Sequence, residues 1–476
     1  MKPSTLSDSQ ATARWWVMLG IGLGVLMFTL DTSIVNVALP TFVRVFETQF
    51  STVQWVVLSY LLVINALVLG AARWGDLIGK KPLYLGGLVV FTISSGLCGL
   101  SPSVGWLIAF RSLQGAGAVM ISALGAAIIT EIFPRQERGR ALGIIGAVVS
   151  LGIALGPTVG GLLLDWTGWR MIFWVNLPVG LFASLVIARS LPSVSQPTQH
   201  QRFDWLGALL LTGVLIAFSV GMTEGQEQGF DQLLPWALLV ITVVGLLLFL
   251  WVETKTPNPI VDLALFRNQY FSLSLLAGVL VFIVIAGTIF ILPFYLELVL
   301  GYRPRHVGLL LAVSPVLGGL VAPLSGYLSD RLGSRPISLM GLGLMTVGSL
   351  LISTFGAELT DWGYIWRVAP FGVGLGMFQS PNNSAIMGEA PPERIGIASG
   401  LLSLSRTLGQ TTGLSLMATL FALVTLAHTD ATEVTQATAT AIVMGVQWTF
   451  RAGALVLVAG AAILAKTWQM QKKPVV

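Results

Sequence analysis

Apolar residues in this chain come in long unbroken runs, and those runs decide what it can fold into. A membrane-spanning helix needs about 20 mostly apolar residues, and runs of that length recur from Trp15 almost to the C-terminus. In hydrocarbon every backbone N–H and C=O must find a partner within the chain, so each run reads as a helix. Of the residues, 55% are hydrophobic and only 10% charged, against about 25% charged in ordinary soluble domains. No soluble catalytic domain fits between the runs. The polar segment 1–14 precedes the first run, which continues past Ile34 without a small-residue cleavage site, so it reads as a retained first helix. The single cysteine, Cys98, supports neither a disulfide framework nor a thiolate metal site. The net charge of +5 matters by where each base lies, and does not imply nucleic acid.

Turn residues and charge clusters place spans near 15–36, 52–72, 83–100, 105–131, 140–164, 171–190 and 205–222. A second set falls near 235–252, 271–298, 306–328, 337–355, 363–389, 397–426 and 444–466, fourteen in all. With the N-terminus inside, most of the 26 Lys and Arg fall on inner segments, and the external segments carry only Arg44, Arg170, Arg303 and Arg305. That asymmetry predicts both termini in the cytoplasm. The stretch TEGQEQGFDQ between spans seven and eight has acids and no base, in keeping with an external loop.

The two ends of the chain echo each other. GDLIGKKP at 75–82 returns as SDRLGSRP at 329–336, matching Asp76 with Asp330, Gly79 with Gly333, Lys81 with Arg335 and Pro82 with Pro336. Arg111 opens the glycine-rich RSLQGAGAVM, and Arg367 opens RVAPFGVGLGM at a similar offset. Two homologous six-helix bundles follow, over 15–190 and 271–466. The segment 191–270 joins them and carries spans seven and eight as an inserted pair; 1–14 and 467–476 are cytoplasmic tails. Bundles related in this way commonly place cargo at their interface, near mid-membrane.

Several polar residues lie where only apolar ones are cheap. Asp31 sits late in the first span, where a charged carboxylate costs several kcal/mol. It either trades a proton for cargo or pairs with a base to fasten two helices. Arg111 lies at the same depth in span four and would bias a neighbouring acid toward its charged form. Asn36 and Thr32, close along the helix to Asp31, are placed to hydrogen-bond to it or to cargo, and Gln114, a turn from Arg111, is with Asn36 and Glu297 a candidate to line a cargo cavity. Gln379, Asn382 and Asn383 set three amides in one span, for cargo or for bonds across helices. Glu297 lies near an external span end, either as a cation or proton site or simply exposed. Arg406 balances an acid or anchors its helix. Gly152, Gly156, Gly160 and Gly161 favour close helix contact, with Pro157 bending the helix. His200, His306 and His428 are scattered, so neither a metal cluster nor a histidine-based catalytic set is expected. No phosphate-cradling loop is present, and energy is expected from an ion gradient.

LDTSIVNVALP at 30–40, GDLIGKKP at 75–82, RSLQGAGAVM at 111–120, GIALGPTVGG at 152–161 and WRMIFWVNLPVG at 169–180 together resemble the fourteen-helix drug:proton antiporters of the major facilitator superfamily. LPFYLELVLGYRP at 292–304 and PNNSAIMGEAPPERIGIASGLLSLSRTLGQ at 381–410 extend the resemblance over nearly the whole chain. It implies an all-α membrane protein of two pseudo-symmetric bundles plus two inserted helices. It also implies proton-coupled efflux of small lipophilic or cationic compounds from the bacterial inner membrane, with no enzyme activity and no cofactor beyond the gradient. Cargo and protons are the partners, and the unit is a functional monomer. Asp31 and Arg111 would then serve proton coupling, and GIALGPTVGG would mark an exporter. Asp76, Lys80, Lys81, Asp330, Arg331 and Arg335 would form a cytoplasmic gate, with Glu131 and Glu389 as partners. The first gate copy departs from the family pattern: Leu77 replaces the customary base and Ala72 the leading glycine, which implies a weaker clamp. An exporter of an endogenous lipid, siderophore or sugar fits the same scaffold. A membrane sensor or enzyme would need a constellation or soluble domain that the sequence does not show.

Overall fold

The computed structural model describes residues 8–134, 137–192, 204–256, 259, 265–389 and 395–472. The side chains of Asp76 and Asp330 lie outside the described ones, as do those of Ala72 and Leu77. The apolar runs are helical: α1 Asp8–Val45, α2 Phe50–Ile78, α3 Lys80–Gly99, α4 Val104–Ile132 and α5 Arg138–Thr167. Short α6 Met171–Trp174 and α7 Asn176–Ser190 make the sixth span, and α8 Trp205–Gln228 and α9 Leu233–Lys255 are the inserted pair. In the second half, α10 Gln269–Phe294 ends in a π-helical turn, Tyr295–Val299. α11 Pro304–Leu311 and α12 Val313–Leu332 share a span, followed by α13 Ser334–Ile352, α14 Asp361–Gly388, α15 Ile395–Leu426 and α16 Ala439–Lys472.

Thirteen described helical stretches are long and apolar enough to cross a membrane. The remaining expected span is α14, whose 28 residues include Gln379, Asn382 and Asn383. It is less apolar because its faces meet protein instead of lipid: it lies between α12 and α13. α1 runs past the expected end at residue 36, through Pro40 to Val45.

The repeat read in the sequence returns as repeated packing. α1 packs on α5 and α7, α4 on α2 and α3, and α3 on α7. Likewise α10 packs on α15 and α16, α14 on α12 and α13, and α13 on α16. Gly79 and Gly333 occupy matching loops at φ 101° and 90°, a region where a Cβ is strained. The inserted hairpin is central in sequence but peripheral in space: α8 packs on α2 and α15, while only 11% of the apolar stretch of α9 is buried.

The bundles touch along α5 with α11 and along α2 with α15. Their closest approach is at the face opposite the termini, called here the far face. A Cβ on Gly161 would strike the Pro304 backbone, and one on Gly308 the Pro157 carbonyl oxygen. Beside this contact Phe50 of α2 meets Phe290 and Phe294 of α10, at ring-centroid distances of 5.1 and 4.8 Å, and Phe421 of α15 at 5.6 Å. Arg44 at the end of α1 pairs with Glu297 across the same seam. Toward the termini α5 packs less along α12 than it does along α11.

Candidate functional site

Asp31, Arg111 and Gln114 come together inside the first bundle. Arg111 Nη1 donates to Asp31 Oδ2 at 2.6 Å and to Gln114 Oε1 at 2.6 Å, and Gln114 Nε2 donates to Asp31 Oδ1 at 3.0 Å. Asn176 Nδ2 adds a third donor to the carboxylate, at 2.9 Å from Oδ1, and also reaches Ser95 Oγ at 3.0 Å. Ser95 donates in turn to the Phe173 carbonyl. Arg111 Nε donates to the Val56 carbonyl at 3.2 Å, and its guanidinium lies 4.2 Å over the Tyr60 ring. One acid thereby ties α1 to α4 and α7, and through its partners to α2 and α3.

Helix geometry explains the convergence. Arg111 and Gln114 are three residues apart, so both side chains leave α4 on one face. Asn176 is at the first turn of α7, where the break after α6 turns the chain toward α1 and α3. Asp31 is 0% exposed, Gln114 0%, Arg111 1% and Asn176 2%. Three donors, one of them charged, converge on this carboxylate, whose ionised form only accepts hydrogen bonds. A proton on Asp31 would add an O–H that needs an acceptor. Gln114 Oε1, the neighbouring one, already accepts from Arg111 and faces the Cys98 thiol at 3.7 Å. Protonation would set that O–H in competition with the donors that Gln114 Oε1 already accepts.

The enclosure corrects the expectation for Gln114, which belongs to this network instead of lining a cavity. Asn36 is likewise buried and donates to the Thr32 carbonyl of its own helix at 2.7 Å. Asn382, 3% exposed, bridges α14 to the Ser274 carbonyl of α10 at 3.3 Å, so it fastens helices. Gln379 and Asn383 are half-buried one turn apart on α14. Glu297, 8% exposed, is neither simply exposed nor free, since it pairs with Arg44 of the other bundle.

At the termini face, Lys80 at the start of α3 pairs with Glu131 at the end of α4. Arg335 at the start of α13 reaches Glu389 at the end of α14 at 3.3 Å, and Asn268 donates to the same carboxylate at 3.0 Å. Arg335 also stacks over Tyr270 at 4.4 Å. Each pair stays within its own bundle. The base in use differs by one position: Lys80 aligns with Ser334, whereas Arg335 aligns with Lys81. Arg331 is exposed and stacks on Tyr327. In the glycine motif, Gly152, Gly156 and Gly160 seat α5 on Thr29, Ser33 and Ile34 of α1, and Gly161 meets the other bundle.

Asn176, Tyr60 and Ser95 complete the site without having been singled out from sequence. Asn176 stands in WRMIFWVNLPVG, where an amide in an apolar run was a usable signal; Tyr60 and Ser95 carried none. Among the described residues, no His, Cys, Asp or Glu group could hold a metal ion.

Residues 21–414 match the sequence model of the Major Facilitator Superfamily. The chain is 35% identical to the riboflavin transporter RibZ of Clostridioides difficile (strain 630), over 86% of this chain and 88% of that one. It is 36% identical to the multidrug resistance protein Stp of Mycobacterium tuberculosis (strain CDC 1551 / Oshkosh), over 85% of this chain and 75% of that one. Its fold resembles the crystal structure of a bacterial homolog of the human lysosomal transporter Spinster in an inward-facing, unoccupied conformation. That likeness has a TM-score of 0.69 at 16% identity and covers 98% of this chain and 99% of that one.

Proposed function

Because the chain belongs to the major facilitator superfamily, a multi-pass membrane transporter and not an enzyme, we propose that it exports small organic compounds by alternating access, driven by inward protons. The observation that carries this reading is the enclosed Asp31 with its donors Arg111, Gln114 and Asn176. A titratable acid whose ionised form joins several helices is a switch between packings: ionised it fastens them, protonated it releases them. The repeat supplies two bundles that can rock, with the seam at Gly161, Gly308 and Phe50 closed in the present state. Positive-inside placement then makes the termini face cytoplasmic, in the inner membrane, and the closed far face external.

The energetics allow one proton per cycle. A charge crossing 100 mV releases about 2.3 kcal/mol, and concentrating neutral cargo tenfold requires about 1.4 kcal/mol. Lys80–Glu131 and Arg335–Glu389 fasten helix ends within each bundle, so in this reading they keep each bundle rigid while it moves.

Relatives named as a multidrug resistance protein and a multidrug transporter protein favour a broad range of lipophilic cargo. A relative named as a riboflavin transporter favours a second reading, a dedicated carrier of one endogenous compound on the same scaffold. The test is uptake of ethidium and of fluorescein into inside-out vesicles under an imposed proton gradient, comparing the native protein with Asp31→Asn. Gradient-dependent uptake of either dye, lost in a well-inserted Asp31→Asn variant, is expected. Full gradient-driven uptake by that variant would remove Asp31 from the coupling. No uptake of either dye by the native protein would favour the dedicated carrier.

A further inference from the structure

Arg406, inside the bilayer, is absorbed neither by the Asp31 network nor by the gate pairs. Arg406 lies about 9 Å along α15 from Gly400, where its apolar stretch begins, at the usual rise per residue, about a third of the way through a ~30 Å hydrocarbon core. Its Nε is buried without a hydrogen-bond partner, and its guanidinium lies 5.4 Å over the Phe282 ring of α10. Among the described residues, the ion pairs join other groups and no acid pairs with it. An unbalanced arginine at this depth is costly, and such residues face an interior or a water-filled path.

Contacts around α15 show which way Arg406 points. Gly409 and Gly413 pack on Val279, Phe282 and Ile283 of α10. Thr411 and the Thr407 carbonyl accept from Asn65 of α2. Leu416 and Leu423 are exposed on the outer side. At 3.6 residues per turn, Ser403, Arg406 and Gln410 occupy the stripe between the α10-facing and α2-facing sides, with Arg406 nearest the α10 side. Higher on the same stripe Phe421 meets Phe50 in the far-face seam. Pseudo-symmetry agrees: Gly152 and Gly156 seat α5 on α1 much as Gly409 and Gly413 seat α15 on α10, and Gly146 and Ile153, in the matching stripe of α5, are exposed. Arg406 thus borders the space between the bundles, below its closed end. Asp31 does not reach that space, and among the described residues no enclosed acid offsets the arginine there.

We propose that Arg406, with Phe282 beside it and Gln410 a turn above, anchors the cargo, and that the cargo is an aromatic compound carrying an anionic oxygen group such as a carboxylate or phenolate. The guanidinium offers a planar fork of donors that matches two oxygens of one group, which an ammonium would not. Phe282 supplies an apolar face for the ring. A lipophilic cation meets repulsion at the same place. This rests on the transport reading but not on its proton coupling.

The test is equilibrium binding to the purified full-length protein in detergent, followed by fluorescence anisotropy, with fluorescein as the anionic and ethidium as the cationic probe. The native protein should bind fluorescein at least about tenfold more tightly than ethidium, and Arg406→Gln should lose about tenfold or more of the fluorescein affinity, the range of a hydrogen-bonded charge. Arg406→Lys, which keeps the charge and guards against a folding defect, should fall between them. Fluorescein binding no tighter than ethidium binding by the native protein would overturn the proposal, with no variant needed. So would a folded Arg406→Gln variant with native fluorescein affinity. Gradient-independent vesicle uptake alongside Arg406-dependent binding would sink the antiport reading alone and support this one.

Discussion

At the seam between the bundles, a methyl group on Gly308 would land against the Pro157 carbonyl oxygen, 3.0 Å from the Pro157 carbonyl carbon and 3.2 Å from Gly161 Cα. All three are backbone atoms, so no side chain can swing away. Overpacking of this kind costs about 1–3 kcal/mol. The cost arises only while the far-face ends of α5 and α11 are together. Gly308→Ala should therefore shift the balance between far-face-closed and far-face-open states by about 5–150-fold toward open. The native chain has a single cysteine, Cys98, and it is buried, so a cysteine introduced at Phe50 can report alone. Phe50→Cys should react slowly with a membrane-impermeant maleimide applied from the far face, and markedly faster when Gly308→Ala is added. Gly343→Ala, whose Cβ meets nothing within 4 Å, is the control. Equal labelling rates in the Gly308→Ala and Gly343→Ala backgrounds would refute the claim that this backbone contact closes the far face.

Arg111→Lys should lower the thermal unfolding temperature and impair gradient-driven uptake, because an ammonium cannot reproduce donation to Asp31, Gln114 and the Val56 carbonyl together; native melting in this variant would show that the fork is dispensable. Asn176→Ala removes one donor from Asp31, a charge-assisted bond of about 1.5–3 kcal/mol, and should alter uptake while Gly213→Ala, in open space, does not. The two gate pairs should differ: a double-mutant cycle on Arg335 and Glu389 should give about 1 kcal/mol of coupling, whereas Lys80 and Glu131, the latter 54% exposed, should give near zero. At the far face, burial and then donation to Asp361 hold the Tyr302 phenol above its ordinary value of 10.0. The native state keeps that proton more tightly than the unfolded chain, so the contribution is complete below about pH 10 and lost as pH rises further. Tyr302→Phe should flatten the fall of melting temperature above pH 10, and an unchanged slope would count against it.

Much of the architecture was readable because lipid leaves few options. Apolar runs of spanning length, basic residues gathered on one side and GDLIGKKP returning as SDRLGSRP were enough for the number of spans and the two bundles. The polar α14 was harder, since its buried amide Asn382 is satisfied by α10, a partner that only packing reveals. Asp31, Arg111 and Gln114 stood out as polar residues in costly places. Asn176 did not, although it supplies a third of the donors to the same carboxylate.

By itself the sequence determined the membrane class, the repeat, the family and the short roster of charged residues inside the bilayer, because each such charge must be justified against hydrocarbon. It left open which of them face one another. Only the tertiary structure decided that Asp31 is closed off with Arg111, that Glu297 bridges to Arg44, and that Arg406 has no acid beside it among the described residues. Partner choice depends on the rotation and height of each helix relative to the others. Those are set by many small contacts, such as glycines seated on a neighbouring backbone, and no linear pattern records them.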